Sequence, residues 1–551
     1  MSADREVRAG GAGRSVPVES PGHVPGSRIE TVRPDGTGGP TAPEWTQEWS
    51  VTNMSTAAGS GHVESMGRSR AYAASTRFAS WFRRLELLTR PVDPETRAAM
   101  DRRWAELPAR VRTPAQALGR HGVGCEGTHG VFPRCNFSCT PCYHSREANQ
   151  VRVDGPHTVA EVERQMAMLR DVRGPTAHAQ LIGGEVSLLA PEDHAAALAV
   201  MRRYGREPMS FTHGDFDYDY LERLAVDGDG RRRFGRLSFA AHFDTTMFGR
   251  RGIRRPGSER ELNEYRRRFA DLFTRLRREH GVRSFLAHNM TVTPSNVDQI
   301  PDVIRDNRTA GFNLFSFQPA AYIGDERRWK DDFRSMSADA IWQRIEAGAG
   351  SRLPYRVFQV GDERCNRTAW GFYVGDRWHS VLDEDDPDDM AARDAFLTHL
   401  GGVHFNAPMR LLLPRLARVA LRRPRIVAIA IRWLARTVRR VGGPRALLRG
   451  RIVPMTFVMH RFMHAENVAP AWALMEQGVT ADDPVIRETQ ERLAACSYAM
   501  AHPETGRLVP ACVQHGVLDP EENRDLRVLL PLPRRRDDAL EPRRPMAGAG
   551  A

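Results

Sequence analysis

Between residues 122 and 348, short apolar runs alternate with longer amphipathic stretches. The runs at 130–133, 178–182, 209–213, 237–242, 285–292 and 313–318 predict strands. The stretches at 159–170, 191–204, 259–279 and 296–306 carry apolar residues at helical spacing and predict helices between those strands. Six strands alternating with helices imply parallel β/α units with right-handed crossovers, hence an α/β fold. The pattern leaves open whether such a sheet closes into a barrel or stays open.

The flanks read differently. Residues 1–65 are rich in Gly, Ser, Pro and Thr and hold few large apolar side chains, so disorder is expected there. Met54 and Met66 are alternative start sites. Residues 66–121 read as an N-terminal helical region, with Trp81, Leu85 and Leu88 at helical spacing and Pro91 and Pro108 as punctuation. A core domain at 122–348 is followed by a C-terminal extension at 349–530 and a tail at 531–551 expected to be disordered.

Within the extension, residues 395–465 contain no Asp or Glu but fourteen arginines, interleaved with Leu, Ile and Val. This predicts basic amphipathic helices, broken near Pro414, Pro424 and Gly442-Gly443. They face either a membrane surface or plain solvent.

Charge and cysteine usage narrow the class. The 551-residue chain has a formal net charge of +12, which suits an anionic partner or surface. Its seven cysteines include three within eight positions, a pattern for metal-held thiolates rather than a disulfide framework. That implies a reducing, cytoplasmic setting. No signal peptide and no transmembrane helix are predicted, because no charged head precedes an apolar core and no run reaches about 18 apolar residues.

The most informative segment is Arg134-Cys-Asn-Phe-Ser-Cys-Thr-Pro-Cys-Tyr143. Cys135, Cys139 and Cys142 form C-x3-C-x2-C, and three thiolates can hold three irons of a [4Fe-4S] cubane. The fourth iron then stays open to chelation by S-adenosylmethionine, whose reductive cleavage yields a hydrogen-abstracting 5′-deoxyadenosyl radical. A zinc site is the alternative, with His144 close by.

With this motif the chain resembles the radical S-adenosylmethionine (radical SAM) superfamily over about residues 122–348. Leu181-Ile-Gly-Gly-Glu-Val-Ser187 is similar to the GGE motif of that family. The resemblance implies a partial (β/α)6 TIM-like barrel with S-adenosylmethionine across the C-terminal strand ends. It places Tyr143 near the adenine, and Gly183, Gly184 and Glu185 at the amino group. It also makes His242 and Asp244, Asn289 and Gln318 candidate cofactor contacts at later strand ends. Each of these four is equally readable as an ordinary satisfied polar residue. His213 and Asp215, at the end of the third strand, face substrate or cap the next helix.

Cys125, Cys365, Cys496 and Cys512 remain. A turn at 503–506 between Cys496 and Cys512 predicts a hairpin that brings those two together, and an auxiliary metal site of Cys496 and Cys512 with Cys365 is favoured over free thiols. The segment 459–468, with Cys496 and Cys512 to His515, is locally similar to a radical SAM group that includes the tetraether lipid synthases. That likeness implies a second iron–sulfur cluster and an apolar substrate.

The expected function is therefore a radical SAM enzyme acting on a lipid or other apolar substrate, with an electron donor such as flavodoxin or ferredoxin and a membrane surface as partners. The alternatives are a radical SAM enzyme for a peptide or small metabolite, and an iron–sulfur or zinc nucleic-acid-binding protein. The last is disfavoured by the few aromatic residues among the arginines.

Overall fold

The computed structural model describes residues 78–144, 146–323 and 336–529; the stretches 1–65 and 531–551, expected to be disordered, lie outside them. In the core region β1 (Cys125–Gly127), β3 (Ala177–Leu181), β4 (Arg206–Thr212), β5 (Arg236–His242), β7 (Arg283–Val292) and β8 (Leu314–Pro319) pair side by side, all parallel. β2 (Ser138–Cys139) and β6 (Met247–Phe248) form a separate antiparallel ribbon. The sheet does not stop at residue 348. β11 (Ile452–His460) adds a parallel strand beside β8, and β12 (Tyr498–His502) adds one beside β1. β9 (Asn366–Val374) and β10 (Arg377–Ser380) continue one edge antiparallel, and β13 (Arg507–Pro510) closes the other. The eleven strands make a curled, open sheet, a partial TIM-like barrel.

Helices cover its outer face. They are α1 (78–89), α2 (Pro94–Glu106), α3 (Gly155–Arg173), α4 (Pro191–Arg203), α5 (Tyr218–Ala225), α6 (Asn263–His280), α7 (Ile300–Asn307) and α8 (Ala338–Ala349). The extension contributes α9 (Pro387–His399), α10 (Met409–Arg422), α11 (Pro424–Arg440), α12 (Pro444–Arg449), α13 (Ala465–Glu476) and α14 (Pro484–Ala494). It ends in α15 (Ala511–Val513), a π-helical turn at Gln514–Leu518 and α16 (Asp519–Leu529).

Strand period decides where the core lies. Leu237, Phe239 and Ala241 of β5, Leu286, Met290 and Val292 of β7, and Phe315 and Phe317 of β8 are buried in the main core cluster with helix residues such as Phe269, Phe273 and Ile304. The alternate residues point into the barrel: Ser238 and Ala240, Ala287 and Asn289, Ser316 and Gln318 line a cavity. Most of these inward side chains are small, so the lumen is not filled.

Two sequence expectations are corrected. The first strand is Cys125–Gly127, not 130–133. Its central side chain, Glu126, is buried, and Arg206 of β4 holds it through Nε at 2.8 Å and Nη2 at 3.1 Å. A buried ion pair hides this strand from an apolar pattern, while Val131 and Phe132 are buried in the loop beyond it. Pro414 does not break a helix: it lies inside α10. The carbonyl it deprives of a partner belongs to exposed Arg410, where water can serve.

His194 of α4 sits between Tyr220 Oη at 2.9 Å from Nδ1 and Ser210 Oγ at 2.8 Å from Nε2. Burial alone lowers its pKa from 6.5 to about 3. The unfolded chain therefore binds a proton below pH 6.5 that the folded chain refuses until about pH 3, and stability falls as pH drops through that window. The slope is about 1.4 kcal/mol per pH unit for this group. Replacing His194 by Gln, which hydrogen-bonds but does not titrate, should flatten the acid side of a urea-denaturation stability profile by that amount.

Candidate active site

The C-terminal ends of the parallel strands carry the chemistry. After β1 the chain runs through Val131 and Phe132 into the cysteine loop, where Cys139 lies on β2 and pairs with Met247 of β6. Cys135, Cys139 and Cys142 are half-buried and all line the cavity, and no disulfide occurs among the described residues. The loop after β3 is stitched to the stem of the cysteine loop. Gly184 N donates to Phe132 O at 2.7 Å and Glu185 N donates to Arg134 O at 2.8 Å. The approach is so close that a Cβ on Gly184 would sit 2.2 Å from Arg134 O and 2.3 Å from Pro133 O. Both glycines of the GGE segment are therefore required by backbone contact.

Glu185 has a role at the same junction. Its Oε1 accepts from Ser187 N at 3.0 Å, Ser187 Oγ at 2.6 Å and Thr212 Oγ1 at 2.6 Å, and its Oε2 accepts from His213 N at 2.7 Å. The carboxylate thus ties the β3 loop to the end of β4. His213 carries the tie onward. Its Nδ1 accepts from Asp215 N at 3.0 Å, so Nε2 holds the proton and donates to Asn136 Oδ1 at 2.8 Å. Its ring stacks on Phe137 at 3.8 Å between centroids, and the Arg250 guanidinium covers the same Phe137 at 5.3 Å. Two residues of the cysteine loop are thereby held from β4. Asp215 instead pairs with Arg251 at 3.1 Å.

The remaining predicted positions separate into two kinds. Asp244 is buried and satisfied, accepting from Thr246 N and Thr291 N, each at 2.9 Å. His242 lines the cavity, 3.2 Å from Thr291 Oγ1, and burial holds its pKa below the usual imidazole value. Asn289 is the exception. It is 2% exposed, lines the cavity, and its Nδ2 has no hydrogen-bond partner among the described residues. A buried donor left unpaired is costly, and a ligand acceptor would relieve it. Gln318 lines the same mouth. Tyr143 stacks on His515 at 4.3 Å and tilts against Phe462 at 5.2 Å.

The cavity below this mouth measures about 1290 Å³. It runs past Ala240, Ala287 and Ser316 to the N-terminal strand ends at His178, Glu207, Arg236 and Phe285, and on to Trp370, Phe396, Phe405 and Trp433. The volume exceeds the roughly 300–1,000 Å³ of an ordinary small-molecule pocket. The sequence reading missed this lumen, as well as His129, His502, Gln514 and Asp519 beside the mouth. Those four join by contact: His129 stacks on His502 at 3.9 Å, His502 Nε2 lies 2.6 Å from Gln514 Oε1, and Gln514 Nε2 donates to Asp519 Oδ1 at 2.8 Å. Their neighbour His515 had a sequence signal.

The expected hairpin at 503–506 forms between β12 and β13. Cys496 and Cys512 lie just outside it; burial raises the pKa of both, and Cys365 adds to this at Cys496, as Cys496 and Cys365 do at Cys512. Arg492 Nε donates to Cys365 Sγ at 3.2 Å, Met463 N donates to Cys512 Sγ at 3.4 Å, and Cys496 Sγ donates to Tyr498 O at 3.1 Å. Cys125 stands apart on β1, where burial pushes its thiol up to about 12 and Gln180 Nε2 donates to it at 3.4 Å.

No family model matches the chain, and no curated protein matches it. Among solved structures it is similar to Streptococcus suis SuiB bound to S-adenosylmethionine, with 13% identity and a TM-score of 0.26 over 38% of this chain and 43% of that one. It is similar also to native anSMEcpe with bound AdoMet and Kp18Cys peptide, with 16% identity and a TM-score of 0.27 over 40% of this chain and 58% of that one. The matched part is thus less than two thirds of either protein.

Because Gly184 allows the two loops to touch, Gly184→Ala should loosen the cysteine loop. Alkylation of Cys135, Cys139 and Cys142 in apoprotein, followed by peptide mass spectrometry, should quicken several-fold while Cys512 stays protected.

Proposed function

We propose that this protein is a radical SAM enzyme that abstracts hydrogen from an unactivated C–H bond of an apolar substrate. The observation that carries the reading is the C-x3-C-x2-C loop at the C-terminal end of the first parallel strand, clasped by the GGE loop of the next. The donor set fits a [4Fe-4S] cluster, since three thiols share one short loop that opens onto a cavity. Such a cluster with S-adenosylmethionine would supply, with one electron from an external donor of the flavodoxin or ferredoxin type, reductive C5′–S cleavage to methionine and a hydrogen-abstracting 5′-deoxyadenosyl radical.

The chain's own part is to hold and to exclude. Cys135, Cys139 and Cys142 would ligate three irons. Gly183 and Gly184 present backbone beside them, and Asn289 offers its Nδ2 as a donor to the cofactor. Tyr143, backed by His515, gives a flat surface next to Cys142. Glu185 and His213 position the cysteine loop from β3 and β4. The large, mostly apolar lumen, lined by small inward side chains, suits a substrate lacking polar handles.

Cys365, Cys496 and Cys512 support a second cluster in this reading. Three thiols lie within electrostatic range of one another, and Arg492 would complement the negative charge of a thiolate-bound centre.

Anaerobic reconstitution tests both points. About eight irons per chain are expected, falling to about four when Cys365, Cys496 and Cys512 are replaced by Ser. Dithionite-reduced protein should convert S-adenosylmethionine to 5′-deoxyadenosine, and Cys135→Ala should abolish this. A reconstituted wild type that binds no iron and forms no 5′-deoxyadenosine would end the proposal. Asn289→Ala should weaken S-adenosylmethionine binding about ten-fold, or about 1.4 kcal/mol, by equilibrium dialysis.

A further inference from the structure

α10 and α11 carry more apolar surface than they bury. Leu412 and Val419 of α10 are buried, while Met409, Leu413 and Leu421 are exposed, Leu421 to 84% on the side opposite the buried pair. In α11, Ile426, Ile429 and Trp433 turn inward to the cavity, while Val427, Ile431 and Leu434 are exposed, Ile431 to 62%. α1, which Arg418 of α10 joins through a 2.8 Å bond to Thr89 Oγ1, exposes Phe78, Trp81, Phe82 and Leu85 at helical spacing.

This outward surface is anchored. Arg436 and Arg440 of α11 pair with buried Asp389 of α9 at 2.9 and 2.5 Å, and Trp433 Nε1 donates to Val381 O at 2.8 Å. The other arginines beside the apolar stripes, Arg422, Arg425, Arg432 and Arg439, are exposed in a segment without acidic residues. Apolar stripes flanked by exposed arginines are complementary to an anionic lipid leaflet. No helix among the described residues is long and apolar enough to cross a membrane, so the contact is interfacial.

The same helices close the far end of the cavity. Phe405, 42% exposed, and Ala430, also exposed, both line it, so the lumen reaches the surface beside α11. This opening lies at the N-terminal strand ends, opposite the cysteine loop. We propose that α1, α10 and α11 dock on an anionic membrane leaflet, and that an apolar lipid chain enters the barrel through the opening at Phe405 and Ala430. The route rests on the substrate class proposed above; the docking does not.

Full-length reconstituted protein should float with vesicles of three parts phosphatidylcholine to one part phosphatidylglycerol, and at least ten-fold less with phosphatidylcholine alone. Leu421→Asp with Ile431→Asp should lower flotation at least ten-fold while leaving 5′-deoxyadenosine formation under dithionite unchanged. Lipids brominated along the acyl chain should quench a fluorescence component that Trp433→Phe removes and that Ala430→Phe reduces several-fold. Absence of flotation overturns the docking. So does an arginine-dependent shift on poly(U) without flotation, or a concentration-dependent dimer lost in the Asp variant without flotation. Flotation with no Trp433-linked quenching overturns the route alone. Loss of S-adenosylmethionine cleavage in the wild type would strike the enzymatic reading and leave flotation as an independent result.

Discussion

Everything in this molecule depends on which side of each strand carries the bulk. Parallel strands in a barrel point alternate residues inward and outward, and a TIM-type lumen is ordinarily filled by large branched side chains. Here Phe239, Leu286, Phe315 and Phe457 point outward into the layer between sheet and helices, and Ala240, Ala287 and Ser316 point inward. The stabilising apolar burial is thus placed outside the barrel. The lumen is left as space, at the cost of the packing a filled barrel would have.

An open lumen is useful only if its mouth is rigid, and hydrogen bonds from neighbouring strands supply that. The cysteine loop has little regular structure of its own beyond the short β2–β6 ribbon. It is held by backbone bonds from the GGE loop, by His213 from the end of β4 and by Arg250 over Phe137. Glu185 joins these supports by accepting from both β3-loop and β4 donors. A cofactor bound here would meet groups already in place, so little ordering would be charged against its binding.

The C-terminal extension is structurally continuous with the core. β11 and β12 lengthen the parallel sheet at both sides, and α9 and α11 cover the far end of the lumen. Cys512 reaches the neighbourhood of Tyr143 because β12 lies directly against β1. One segment therefore supplies a wall of the cavity, the second cysteine group and the arginine-rich surface.

By itself the sequence determined the α/β class, five of the six core strands to within a few residues, the cysteine and GGE motifs, and the basic helices. All of these are local: a period of two or of 3.6, or a spacing within one loop, needs no partner to be read. The structure alone decided the rest. β1 was hidden because Glu126 is buried against Arg206, eighty residues away. Asn289 and Asp244 look alike as polar residues near strand ends. Only the fold leaves the Asn289 amide unpaired in the cavity while surrounding Asp244 with donors. The lumen and the two-faced character of α11 likewise come from long-range pairing, since burial is a property of neighbours and no single segment contains its own.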